Sequence, residues 1–448
     1  ADANGVDLTQ FENWYLQAGT PTVKASGEYN AEAQTYTLTM EQTTPPTPKQ
    51  STKEPFHIPV VTGLLGPDGK EMVPSQVLEL TQEKQTFVLE GVTAEPVVSI
   101  LRGFSAPVKM EFPHTDEDLA FLMAHDTDSF NRWEAGQKLM TKFLLELTSD
   151  LPEGKPAKDA TIELPATLKS AIGTIISQRD MDKSLQAYAI TLPAEGTLQQ
   201  EMEVADPVKL RTARGLVIKA IAAAYKPELE ALYNELAADP EKPYTPSKEE
   251  YGRRSLRNTV LRYLSANHKE DTEAVAELCF AQFEGADCMT DKLAALGCLV
   301  DIDSPRRAEA LEKFYEAANG DALVLNKWFS IQASADREDI LEEVRSLMKH
   351  PDFTLKNPNR LRSVINVFAT NLPYFHAEDG SGYNFIGDCI LEIDQLNPQV
   401  ASRLCRSLSL WKRYNENRQT LMKSVLQRVV DTEGVSKDTY EIAFKSLQ

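Results

Sequence analysis

The six histidines of this chain, His57, His114, His125, His268, His350 and His376, never come closer than the eleven residues between His114 and His125. That spacing excludes a metal-binding pair set one helical turn apart. Cysteine is scarce: Cys279, Cys288, Cys298, Cys389 and Cys405 are odd in number, all lie in the C-terminal half, and include no pair at the spacing of a zinc knuckle or redox motif. Buried, reduced thiols in a cytoplasmic protein are the expectation. No apolar run approaches the roughly 20 residues of a membrane helix, so no membrane span is expected. Positive charge is in deficit, and a formal net charge of -20 excludes a broad phosphate-binding surface, so nucleic acid is not an expected partner. A Gly-x-Ser-x-Gly nucleophile elbow is absent too. The first residues, Ala1-Asp2-Ala3-Asn4-Gly5, hold neither an initiator Met nor the basic and apolar regions of a signal peptide, and the expectation is a chain that starts inside a longer protein.

What is present falls into three textures. Residues 7 to 21 read as a short helix capped near Asp7 or Thr9, with Phe11, Trp14 and Tyr15 on one side and Gly19 ending it. A helix so short and aromatic needs another body to cover it. From about 22 to 112, short alternating or β-branched runs are separated by turn formers: Tyr36 to Met40, His57 to Leu65, Gln76 to Leu80, Thr86 to Leu89, Val97 to Leu101 and Val108 to Phe112. About seven short strands with no helix between them predict a small β-sandwich. After Pro113 the pattern is helical to the end. Thr115-Asp116-Glu117-Asp118 reads as a capping box, so the metal-like look of His114 beside it is better explained as a helix start. Asp206-Pro207, Ser247 and Ser304-Pro305 open further helices, with others from near Thr272, Met289, Leu323 and Asp336. No fixed repeat recurs, so an irregular helical array or superhelix is expected.

The most unusual segments lie between Asn357 and Lys423. Asn357-Pro358-Asn359-Arg360 and Asn397-Pro398-Gln399 each place a capping Asn before a proline that sits just inside a helix. In the second helix Val400, Leu404, Leu408 and Trp411 form the buried stripe, leaving Gln399, Arg403 and Arg406 on the flank and far side. Residues 400 to 424 hold Arg403, Arg406, Lys412, Arg413, Arg418 and Lys423 against the single acid Glu416, either a solvated basic face or a lure for an anionic group. Between them His376-Ala377-Glu378-Asp379-Gly380-Ser381-Gly382-Tyr383 reads as a turn between helices, with Asp379 and Ser381 capping and the glycines at positive φ. Without a preceding strand or a following Lys it is not a phosphate-binding loop.

Together these segments resemble the C-terminal helical domain of bacterial aminopeptidase N, a family of zinc-dependent aminopeptidases. Arg253-Arg254-Ser255-Leu256-Arg257-Asn258, Met289-Thr290-Asp291 and Lys327-Trp328-Phe329 extend the resemblance, and residues 7 to 21 resemble the last helix of that family's catalytic domain. The resemblance implies a multidomain, mainly α protein: residues 1–19 as the terminal helix of a missing catalytic domain, 20–113 as a small immunoglobulin-like β-sandwich, and 114–448 as a large all-α superhelical cap. It implies a C-terminal portion that encloses the active-site chamber of a peptide-cleaving parent and is inactive alone. Its partners would be peptide substrates and the missing N-terminal and catalytic domains. Zinc would be bound outside this chain, with no metal ligand and no catalytic residue inside it. Arg360 and Arg403, with Gln399 one turn before Arg403, match positions that face the end of the peptide remote from zinc, and a guanidinium can hold a carboxylate by two parallel hydrogen bonds. The rival reading is a non-catalytic helical protein-interaction scaffold.

Overall fold

The computed structural model describes residues 5–152, 160–239 and 244–448. Seven strands, β1 (Thr22–Asn30), β2 (Thr35–Thr43), β3 (Ile58–Leu65), β4 (Glu71–Leu80), β5 (Lys84–Glu90), β6 (Val97–Ile100) and β7 (Lys109–Glu111), lie between one short N-terminal helix and the α-helices that begin at Asp116. They form two sheets, β5-β2-β1-β7 and β4-β3-β6. In β2 the alternation is realised: Tyr36, Leu38, Met40 and Gln42 are buried and the residues between them are not. Leu38, Met40, Ile58, Val60, Leu64, Leu80 and Leu89 meet from both sheets, closing the sandwich core. The buried amide of Gln42 fits because it both donates to the Phe56 carbonyl and accepts from the Phe56 N–H. The strand missed in the sequence is β1, whose Lys24, Ser26, Gly27 and Glu28 blur the apolar pattern although it pairs with β2 along nine residues. Gly27 is required there, since a Cβ would fall 1.8 Å from the Tyr36 hydroxyl.

The N-terminal helix is shorter than expected, Asn13–Leu16. Asp7 accepts from the Thr9 N–H and hydroxyl and sets a preceding turn instead of capping a long helix. Trp14 is not stranded: its ring lies 4.4 Å from that of Phe56 and its Nε1 donates to the His57 carbonyl.

By compactness the chain divides into Ala1–Lys142 with Pro165–Thr191, and Phe143–Leu164 with Leu192–Gln448. In the first unit the helices Asp116–His125, Ala166–Ser177 and Lys183–Ala189 accompany the sandwich, and the Thr115/Asp118 capping box is formed. In the second, Thr272–Gly285 packs on Met289–Leu299, that helix on Pro305–Ala318, and that one on Ala322–Ala333, the neighbour-on-neighbour stacking of a superhelix. The expected starts are seen at Asp206, which accepts from Val208 and Lys209 N–H groups, at Ser247 and at Ser304. The helix expected from Asp336 begins at Ile340. The Asp336 carboxylate cannot cap because it is taken by Arg211 and the Tyr374 hydroxyl.

Candidate functional site

Asn397 accepts from the Val400 N–H, Pro398 occupies the first turn, and the helix runs Pro398–Cys405. Val400, Ala401, Leu404 and Cys405 are buried; Gln399 and Arg403 are exposed, one turn apart. Beyond Cys405 the backbone tightens into single turns at Arg406–Leu408 and Trp411–Arg413, so one continuous helix does not form, yet Leu408 and Trp411 are buried as expected. The basic island is not a uniform solvated face. Arg413 is consumed by the carbonyls of Gln199 and Met202, at 2.7 and 2.9 Å. Lys412 and Lys423 lie over the Trp411 ring at 5.3 and 4.8 Å. Arg418 is fully buried. Arg403 and Arg406 remain exposed.

Arg360 follows the same cap-then-proline start: Asn357 accepts from the Asn359 and Arg360 N–H groups. The wide helical turn Arg362–Asn366 comes directly after it. Arg360 is only 5% exposed, and its guanidinium lies 4.8 Å from the centre of the Phe329 ring, in an aromatic group with Tyr315, Trp328 and His350. Burial holds Arg360 below the usual arginine value, opposed by the charge of Asp352. Its Nη1 has no hydrogen-bond partner among the described residues. The three candidate residues therefore occupy two environments, Arg360 buried against aromatics and Gln399 with Arg403 on an exposed helix face. No hydrogen bond or ion pair joins the two among the described residues.

The His376 segment is structural. Asp379 accepts from the Ser381 N–H, and Gly380 takes φ +73. Gly382 does not share that conformation; it is needed because a Cβ would fall 2.4 Å from the Phe375 carbonyl oxygen. His376 Nδ1 is 2.7 Å from the Tyr383 hydroxyl, and burial, aided by Arg418, pushes its pKa down to about 3, so the ring is neutral. His114 meets the Val98 carbonyl.

Among the described residues, Asp287, Cys288 and Asp291 are the one group of three ligand-type side chains with atoms all within 4.8 Å. They do not fit a resident zinc. The set sits at the amino end of the helix Met289–Leu299, whose free N–H groups repel a cation, and the Arg254 charge acts on Cys288. Asp291 is instead engaged by Asn258, which also accepts from Gln282. A second ionic group has no counterpart in the sequence motifs: Arg211 pairs with Glu195 and Asp336, Tyr374 donates to Asp336, and the Asp336 N–H meets Asp301. Its members are spread from residue 195 to 374, and no local motif signals such a cluster.

Comparison with known proteins gives a consistent match. Residues 19–113 match "Domain of unknown function (DUF3458) Ig-like fold" and residues 116–448 match "Domain of unknown function (DUF3458_C) ARM repeats". Proteins named aminopeptidase N are similar along the whole chain: 37% identical for Escherichia coli (strain K12), covering 51% of that protein, and 34% for Haemophilus influenzae, again covering 51%. The relative from Caulobacter vibrioides is 37% identical, with 50% of its length covered. A crystal structure of Legionella pneumophila aminopeptidase A in complex with aspartic acid superposes with a TM-score of 0.81 at 30% identity, over 100% of this chain and 51% of that one. The chain thus spans about half the length of the curated relatives it matches. With both of its segments matched in order, the chain belongs to the DUF3458 and DUF3458_C family, the C-terminal portion of aminopeptidase N.

Proposed function

We propose that this chain is the non-catalytic half of a zinc-dependent aminopeptidase: it encloses the active-site chamber, positions the C-terminal side of the peptide through Gln399, Arg403 and Arg360, and has no peptidase activity alone. The observation that carries this reading is the alignment of the whole chain with only half of each relative named aminopeptidase N. Zinc would be held outside this chain, by the catalytic domain of the parent. Docking of that domain is supported by an apolar group near the N-terminus, where Val6, Leu8, Phe11, Tyr15 and Leu16 are all exposed, Tyr15 by 83%. Arg403, exposed and in no ion pair among the described residues, suits a free carboxylate.

The test is an assay of purified 1–448 on amino-acid anilides with added zinc, then of the same chain joined to the N-terminal half of a relative. No turnover alone and turnover when joined are expected. Chelator-sensitive activity of 1–448 that survives repurification overturns the proposal. The ARM-repeat description favours a second reading, a non-catalytic interaction scaffold; a joined protein whose peptide turnover does not respond to changes in this half supports it.

A further inference from the structure

We propose that Arg418 and Gln199 line an internal binding site for a small inorganic anion of halide size. Arg418 is the largest of the fully buried side chains, at 0% exposure. One of its donors is matched, Nε to the His376 carbonyl at 3.0 Å. Among the described residues Nη1 and Nη2 have no hydrogen-bond partner, and neither does the buried Nε2 of Gln199. These groups gather around Tyr414. Its hydroxyl meets Gln199 Oε1 at 3.4 Å, its ring lies 4.2 Å from that of His376, and the Arg418 charge acts on it.

The unmatched atoms on Arg418 and Gln199 are all donors, which decides the class of ligand. A buried polar group without a partner is costly, and a buried charge more so. The nearest carboxylate, Asp206, stands 3.9 Å from Nη2. Its Oδ1 already accepts from the Val208 and Lys209 N–H groups, fixing it as the cap of the helix Pro207–Ala224. His376 offers no counter-charge, since an imidazole is neutral or cationic and burial keeps this one neutral. A water would accept from the guanidinium but bring two donors of its own into a place already rich in them. A monovalent anion accepts only, and it supplies the charge that Asp206 delivers from a distance. Bound there, it would join the helix Glu416–Asp431, the His376 turn and the helix Glu195–Glu201.

Thermal unfolding of 1–448 in sodium chloride, sodium bromide and sodium gluconate at matched ionic strength tests this. Both halides are expected to raise Tm by about 2 °C or more over gluconate. Crystals grown in bromide are expected to show an anomalous peak within hydrogen-bond distance of Arg418. Gln199→Leu, which removes an orphan donor without touching the buried charge, should fold and lose most of the halide-specific shift; Arg418→Gln should lose all of it where it folds. Equal Tm in all three salts, or a water without anomalous signal at that position, overturns the site.

Discussion

Arg102 Nη2 lies 2.6 Å from Asp126 Oδ1, with side-chain exposures of 6% and 0%. The same guanidinium reaches Glu71 and Ser75 through Nη1 and Ser99 through Nε, joining β3's neighbours to the turn after the helix Asp116–His125. Arg102→Met would take the hydrogen-bonded cation from buried Asp126 and leave only the more remote charge of Arg132, and Asp126 Oδ2 already lacks a partner among the described residues. We expect a loss of about 3–5 kcal/mol in urea unfolding of the sandwich unit. A change under about 1 kcal/mol would mean that Asp126 finds water or another donor when the arginine is gone.

Two groups, buried His376 and partly buried Asp301, give stability opposite pH slopes. His376 falls from 6.5 unfolded to about 3 folded, so between those values the unfolded chain binds the extra proton and stability drops as pH falls. Asp301, raised by burial from 3.8 to about 6, binds its proton in the folded state first, so its contribution drops as pH rises through that window. The two oppose each other between pH about 4 and about 6, each by at most about 1.4 kcal/mol per pH unit. Chemical denaturation across that range should therefore be flatter for the unaltered chain than for either variant: Asp301→Asn should steepen the acid loss, and His376→Gln should reverse the slope. Parallel profiles for all three would refute these assignments.

Trp14 and Tyr15 are neighbours with different fates, one half-buried on Phe56 and the other 83% exposed. Trp14→Ser should cost about 2–3 kcal/mol, less than full burial of a Trp would imply. Tyr15→Ser should leave Tm unchanged and reduce self-association in sedimentation. A large loss of Tm from Tyr15→Ser would show that this residue belongs to the sandwich core.

Arg360 and Arg403 should separate in the same way. Arg360→Ala removes a buried cation from the Phe329 ring and is expected to lower Tm, whereas Arg403→Ala should not. In the joined enzyme Arg403→Ala should weaken peptides with a free carboxylate by about 1–3 kcal/mol and leave single amino-acid anilides unchanged. Equal losses on both substrate types would remove Arg403 from the substrate site.

Local signals carried far in this chain. Asp206-Pro207, Ser304-Pro305, Asn357-Pro358 and Asn397-Pro398 all open helices where their caps require, because a cap and a proline act within one turn and need no distant partner. The alternation in β2 was equally plain. What was not legible depends on tertiary contacts. Strand β1 is held by its partners against a mixed pattern, Asp336 gives up capping for Arg211, and the basic residues after Arg403 divide between carbonyls, an aromatic ring and the interior. Arg360 and Arg403 looked alike in their motifs, and only packing against Phe329 tells them apart.

Strand β7 lies parallel to β1, Thr22 opposite Lys109 and Lys24 opposite Glu111, so the backbone enters this sheet and leaves it travelling in the same direction. Tension applied to the chain on either side of the sandwich would therefore slide β1 along β7 instead of peeling one from the other. The hydrogen bonds of that short ladder would share the load and yield together, which makes the sandwich a mechanically stiff joint in a chain otherwise built of helices that can pull away from one another in succession.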